Sequence, residues 1–209
     1  NNGVGLISRG GGASGEETGP KNKENDFTLA FVGSWGEQYA PRQMLSLAIA
    51  VKEKVPQTKF RVFSGDSEAT HKDLEAYGLS DAEWVTVEEV SFNEVHEALK
   101  KCDIGLAFRL SSSTAESVYP LKVADYLFAG LPIVGNMVAD MENELVTSGV
   151  FLDVQDHHVD EIVRWCADIQ RRESEDIKGM CFSLAQRLYR LEVTADVYMK
   201  ALAHAESHS

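Results

Sequence analysis

The chain has 209 residues, 44% of them hydrophobic, and a formal net charge of -13. That length can bury a sizeable core, as one large domain or a domain with appendages. So acidic a composition argues against a nucleic-acid partner, whose binding faces are basic, but it allows a local positive pocket for a small anion.

Cys102, Cys166 and Cys181 fit neither a zinc ribbon nor a disulfide framework, and two lie in apolar helical patterns. They read as buried thiols in a reducing compartment. No stretch approaches the roughly 20 apolar residues that span a bilayer. No basic region followed by an apolar run opens the chain, so no signal peptide is expected and the location reads as cytoplasmic.

Residues 9–26, "RGGGASGEETGPKNKEND", combine glycine and charge without an apolar pattern and read as a linker. Residues 1–26 are therefore set apart from a domain over 27–209. The glycine run is not a phosphate loop, because it lacks the Gly-Lys-Ser/Thr ending and no strand precedes it.

From residue 28 strands and helices alternate. "TLAFVG" (28–33) reads as a strand, and 41–55 as a helix with Pro41 in its first turn and Met44, Ala48, Val51 and Val55 on one face. "KFRVFSG" (59–65) is a second strand, 67–77 a helix, and "EWVTVEEV" contains a third strand. Ser91 and Glu94 have capping-box spacing ahead of a helix with Phe92, Val95, Leu99 and Cys102 on its apolar face.

"DIGLAF" (103–108) is strand four. A helix entered at Pro120 and ended by Gly130 leads to "PIVGN" as strand five. A short helix at 139–148, "VFLDV" as strand six, a helix at 158–172 and a long helix at 178–206 complete the series. The last carries Leu184, Leu188, Leu191, Ala195, Tyr198 and Leu202 on one stripe. About six strands alternating with helices predict an α/β fold with a doubly wound, Rossmann-like parallel sheet. Ligands of such sheets bind beyond the carboxyl ends of the strands, here after residues 33, 65, 89, 108 and 136.

The helix after strand four carries the main candidate residues. Its N-terminus offers free N–H groups and a partial positive charge, which is an anion site. Lys122, in the first turn, can add a full charge. Asp125, one turn on, suits sugar hydroxyls beside a phosphate. A surface Lys122–Asp125 ion pair worth a few tenths of a kcal/mol would explain the same spacing. "DVQDHH" (153–158) contains metal-type ligands, but a strand end followed by a helix cap at Asp156 accounts for it. No hydrolase elbow or zinc-protease pattern occurs.

"YPLKVADYLFAGLPIV" (119–134) resembles the donor-site segment of retaining glycosyltransferases of the GT-B fold, in particular the large family 4 group. That segment reads Pro-x-Lys-x-x-Glu-Tyr and then Ala-x-Gly-x-Pro-Val-Val. Pro120, Lys122, Tyr126, Gly130 and Pro132 match, and Asp125 stands where the family has Glu. "NGV" (2–4) resembles the segment opening the family's interdomain linker, "FVGSWG" its first strand and Gly loop, "FSGDS" its second, and "KKCDIGLAF" its Ala-Asp-Ile-Gly strand. The final helix resembles the family's C-terminal helix.

The resemblance implies one half of a GT-B architecture: the donor-binding domain of a hexosyltransferase using a nucleoside diphosphate sugar. The site for the acceptor, a glycan or a lipid-linked acceptor, would belong to an N-terminal half, as would any peripheral membrane contact. The 209-residue chain alone is expected to fold but to transfer no sugar. No metal and no resident cofactor is expected, since the nucleotide sugar is a substrate.

By the same resemblance Asp125 would hold the ribose. Ser117, Val118 and Tyr119 would face the diphosphate through their backbone, Gly33 and Ser34 would form the first Gly loop, and Val90 and Ser91 would lie near the base. The family's first motif Glu falls on Ser117. An Arg and a Lys usually follow the first Gly loop, and here those positions read Ser34 and about Tyr39. Among the substitutes Arg42, Arg109 and Lys122, Arg109 is favoured beside Lys122 for the catalytic charge, because it ends strand four at the ligand edge. The loss of the loop cations also leaves open a non-catalytic binding or assembly module. A sugar-nucleotide epimerase half is a further alternative, although its motif Glu and His are not found.

Overall fold

The computed structural model describes residues 26–110, 121–136, 142–155, 157–171 and 174–189. Among them six parallel strands form one sheet: β1 (Phe27–Val32), β2 (Thr58–Phe63), β3 (Val85–Glu88), β4 (Ile104–Ala107), β5 (Ile133–Gly135) and β6 (Phe151–Asp153). Their order across the sheet is β3-β2-β1-β4-β5-β6. Every residue of β1 and β4 is buried, as expected for central strands covered on both faces.

The helices are α1 (Pro41–Lys54), α2 (Ser67–Ala76), α3 (Phe92–Leu99), α4 (Leu121–Phe128), α5 (Glu142–Thr147), α6 (Val159–Arg171) and α7 (Ser174–Leu188). Connections β1→β2→β3 step one way across the sheet, and those from β3 onward step the other way. Right-handed crossovers therefore put α1 and α2 on one face and α3, α4 and α5 on the other. The packing agrees: α1 touches α2 and α6, while α4 touches α3 and α7.

The step reverses between β1 and β4, and there the sheet splits. β1 and β2 pair along their whole length, from Phe27↔Thr58 to Val32↔Phe63. β1 and β4 pair only at Leu29↔Ile104 and Ala30↔Gly105. Beyond that point the Tyr126 hydroxyl fills the gap. It accepts the Val32 N–H at 3.0 Å and lies 3.0 Å from the Leu106 carbonyl, to which it donates. Tyr126 is fully buried, and burial raises its pKa. Its ring lies where a side chain at position 105 would go: a Cβ on Gly105 would stand 2.5 Å from the ring. Glycine at 105 and tyrosine at 126 are thus one device that holds the carboxyl ends of β1 and β4 apart.

Most expected elements recur within a residue or two. Pro41 is the first residue of α1. Ser91 and Glu94 form the anticipated capping box, with the Ser91 N–H 3.2 Å and its hydroxyl 2.5 Å from Glu94 Oε2. The short helix expected at 139–148 is Glu142–Thr147. The last helix starts at Ser174, not 178. Its charged opening reads as a loop, but Glu175 and Asp176 in the first turn suit the positive end of the helix.

Leu184 and Leu188 of the predicted stripe are buried. Leu191, Ala195, Tyr198 and Leu202 lie outside the described residues, as do residues 1–25 and the cap at Asp156. All three cysteines are buried, and burial pushes the Cys166 and Cys181 thiols up to about 12, which makes them poor nucleophiles. Among the described residues no helix is long and apolar enough to cross a membrane, and no three His, Cys, Asp or Glu side chains cluster as metal ligands.

Candidate functional site

The split between β1 and β4 marks the switch point at the carboxyl edge of the sheet, the crevice where sheets of this kind bind ligands. Three segments converge on it: the turn after β1, the end of β4, and the start of α4. Gly33 leaves β1 with φ +117, a conformation that glycine alone adopts at low cost. Its N–H remains bonded to the Phe63 carbonyl at 3.0 Å. A Cβ on Gly33 would lie 3.5 Å from Lys122 Nζ, so the turn and the first turn of α4 are in contact.

Lys122 does not form the surface pair with Asp125 that its spacing allows. Its ammonium lies 3.5 Å from the Tyr39 ring centroid and 4.2 Å from that of Phe31. Nζ is buried and has no hydrogen-bond partner among the described residues. Arg109, two residues beyond β4, has its Nε buried and equally without a partner among them. The ordinary fate of buried polar groups is to be paired, so two unpaired cationic atoms at one crevice call for an explanation.

The electrostatics follow from that geometry. Desolvation first, and Arg109 second, lower the Lys122 pKa to about 7 against the opposing pull of Asp125. Asp125 is exposed on α4, yet partial loss of water around its carboxyl raises its pKa, against the pull of His96 and Lys122. Lys122 Nζ and Arg109 Nε, close enough for Arg109 to act on the lysine, thus have no hydrogen-bond partner among the described residues, and a bound anion would satisfy both.

Residues that the sequence did not single out hold this arrangement. The Asn136 side chain clasps the Arg109 backbone, accepting its N–H at 2.6 Å and donating to its carbonyl. The Leu110 N–H donates to the Gln38 carbonyl at 2.8 Å, tying the end of β4 to the turn after β1. Trp35, buried in that turn, receives an anchor from α2: its N–H reaches Asp66 Oδ2 and its Nε1 reaches Asp73 Oδ2, both at 2.9 Å. Ala40 then enters α1 at φ 48, a left-handed value that non-glycine residues rarely adopt. The signal for Asn136 was present as "PIVGN", since an Asn that ends a strand at the ligand edge can bond the neighbouring backbone.

The sequence-predicted residues therefore fall into three groups. Gly33, Arg109 and Lys122 come together, with Ser34 exposed on the same turn. Asp125 is displaced toward α3, where His96 influences it. Val90 and Ser91 follow β3, which is two strands from the split, roughly 10 Å at the usual strand spacing, and the Ser91 side chain is engaged in capping α3. Ser117, Val118 and Tyr119 lie outside the described residues. Arg42 is exposed in the first turn of α1.

A groove of about 720 Å³ opens elsewhere, at the amino ends of the strands, between Asp26, Lys59, Arg61, Trp84, Lys100 and Lys178. Four of its five cations are paired, Lys59 with Asp26 at 2.6 Å, Arg61 with Glu88 at 2.7 Å, Lys100 with Glu97 at 2.7 Å and Lys178 with Glu175 at 3.4 Å, and the fifth is Lys101. Size favours that groove, but unmet charge favours the crevice at the split, which is also where such sheets bind ligands.

The fold and crevice together define a Rossmann-like α/β sheet with its site at the switch point. No family model matches the sequence, and no curated protein does. Among solved structures it is similar to the pneumococcal O-GlcNAc transferase GtfA, in complex with UDP and GlcNAc, at 15% identity and a TM-score of 0.58, covering 85% of this chain and 35% of that one. It is similar to WaaG, a glycosyltransferase involved in lipopolysaccharide biosynthesis, at 14% identity and TM-score 0.60, covering 83% and 47%. It also resembles Anabaena HepE in complex with UDP-glucose, at 14% identity and TM-score 0.61, covering 87% and 50%. The shared property is the fold, the α/β sheet found in GT-B glycosyltransferases. The chain spans about a third to a half of the length of these proteins.

Proposed function

We propose that this chain is the nucleotide-sugar-binding domain of a GT-B glycosyltransferase that moves a hexose to a glycan or lipid-linked acceptor. The observation that carries the reading is the pair of buried, unpartnered cationic atoms, Lys122 Nζ and Arg109 Nε, at the switch-point crevice. A diphosphate would supply the missing acceptors. In sugar transfer the bond from the anomeric carbon to the diphosphate oxygen breaks, and negative charge grows on the leaving phosphate. Fixed cations aimed at that oxygen lower the barrier because they need no reorganisation as the charge develops. Lys122 and Arg109 take this role, Asp125 accepts from the ribose hydroxyls, and the backbone of Ser117, Val118 and Tyr119 faces the diphosphate. The acceptor site belongs to the other half of the architecture.

The experiment is calorimetry with UDP, the nucleotide seen with several of the similar structures, and with GDP. Asp125→Ala should weaken nucleotide binding by about 1.5–3 kcal/mol, the scale of a charged hydrogen bond. Asp125→Asn should cost less, because one acceptor oxygen remains. Asp125→Glu should bind at least as well as the parent. If Asp125→Ala stays folded and keeps its affinity, the ribose assignment is wrong.

One observation favours a second reading, a non-catalytic binding or assembly module. The turn after β1 carries Ser34 and Tyr39 where the resembled family has its cations, and Tyr39 lies on the lysine that remains. Absence of UDP and GDP binding at millimolar ligand would favour it.

A further inference from the structure

Of the two rings beside Lys122, one lies in the core and the other, packed edge-on against it at 6.2 Å between centroids, lies at the core's margin. Phe31 belongs to the central strand β1 and is fully buried. Tyr39 is only partly buried and ends a short 3-10 turn, Glu37–Tyr39. The backbone of that turn is fastened: the Tyr39 N–H bonds the Gly36 carbonyl at 2.9 Å, the Ala40 N–H bonds the Glu37 carbonyl at 3.0 Å, and the Leu110 N–H holds the Gln38 carbonyl. Rotation of the Tyr39 side chain breaks none of these bonds.

The ammonium has three N–H donors and uses none of them among the described residues. With a ring centroid at 3.5 Å and Gly33 close on another side, a phosphate oxygen has no approach to Nζ through the place Tyr39 occupies. The charged groups acting on Lys122 are Arg109, of like sign, and Asp125, which itself faces His96. None is within ion-pair distance of Nζ among the described residues, so the ring is the contact an incoming anion has to replace.

We propose that Tyr39 gates Lys122: its ring covers the ammonium in the resting chain, and an anion reaches Lys122 only when the ring swings aside. The consequence for ligands rests on the reading of this crevice as a diphosphate site, but the occlusion itself does not. The position at which the resembled family places a second phosphate-binding cation would then carry the residue that controls access to the first.

Amine labelling with acetic anhydride, read by peptide mass spectrometry on the 209-residue chain, tests the gate directly. An accessible lysine with a pKa near 7 would be unusually reactive at neutral pH, so slow labelling reports occlusion. Lys122 in the parent should label at least tenfold more slowly than the exposed Lys54. Tyr39→Ala should raise its rate at least tenfold, and Tyr39→Phe, which keeps the ring, should leave it unchanged. Tyr39→Leu, a smaller plug, should raise the rate in the same direction and replaces alanine if the turn proves unstable. Fast labelling in the parent, or equal rates with and without the ring, overturns the gate. Inorganic pyrophosphate and UDP should protect Lys122 in Tyr39→Ala at lower concentration than in the parent. If the rate rises on ring removal but neither compound protects, the gate stands and the diphosphate reading falls. If ring removal weakens protection, Tyr39 positions the lysine and does not gate it.

Discussion

Replacing Lys122 by methionine should weaken nucleoside diphosphate binding about ten- to a hundredfold and make the folded chain more stable at neutral pH. The two effects have one cause. Nζ is buried against Phe31 and Tyr39 with no hydrogen-bond partner among the described residues, and Arg109 adds like charge. The folded chain therefore holds the charged form at a cost, which lowers the pKa to about 7. Methionine fills similar space without that cost, whereas a bound diphosphate loses a charged hydrogen bond.

The sign of the pH dependence follows by linkage. Between pH 7 and 10.5 the unfolded chain holds a proton on Lys122 that the folded chain has released, so this group makes the parent gain stability as pH rises through that window. The advantage of Lys122→Met should thus shrink from pH 7 to pH 10, by a few kcal/mol at most. Binding runs the other way. An anion needs the protonated amine, so affinity of the parent for UDP should fall toward tenfold per unit above pH 7, and Lys122→Met should lose that slope. Denaturant unfolding and calorimetry across pH 6–9.5 check both. Destabilisation of the methionine variant at pH 7 would show that the ammonium has a partner in the folded chain.

Gly105→Ala should destabilise the folded chain by about 3 kcal/mol or more. The added Cβ would sit 2.5 Å from the Tyr126 ring, well inside contact distance. Tyr126 has no room to retreat, because it is fully buried and its hydroxyl spans β1 and β4. Overpacking of this kind typically costs about 1–3 kcal/mol, and the loss of a buried hydrogen-bond bridge adds to it. Tyr126→Phe tests the bridge alone: it leaves the Val32 N–H and the Leu106 carbonyl without this partner, and should cost about 1–3 kcal/mol. The two positions should also couple. Gly105→Ala in a Tyr126→Leu background should cost less than in the parent, because the smaller side chain makes room for the methyl. Additive effects in the four-protein cycle would show that glycine and tyrosine are not one device.

The alternation of strands and helices was legible in the sequence, because buried parallel strands read as short apolar runs and the helices carry periodic faces. Local signals fixed Pro41 at the start of α1 and the Ser91–Glu94 capping box, since each depends on residues three or four apart. The parallel sheet followed from the alternation, and so did the carboxyl edge as the place to look for a ligand. The strand order did not, because it depends on which distant segments pair. With it came the split between β1 and β4 and the part Tyr126 plays there, through bonds to residues 94 and 20 positions away. The sequence placed Lys122 and Asp125 one helical turn apart and so allowed an ion pair. Tertiary structure decided against the pair, because the Lys122 side chain reaches across to a turn more than 80 residues earlier and lies on Phe31 and Tyr39. Helical spacing restricts which neighbours a side chain can meet, but only the packing of β1 against α4 determines which one it touches.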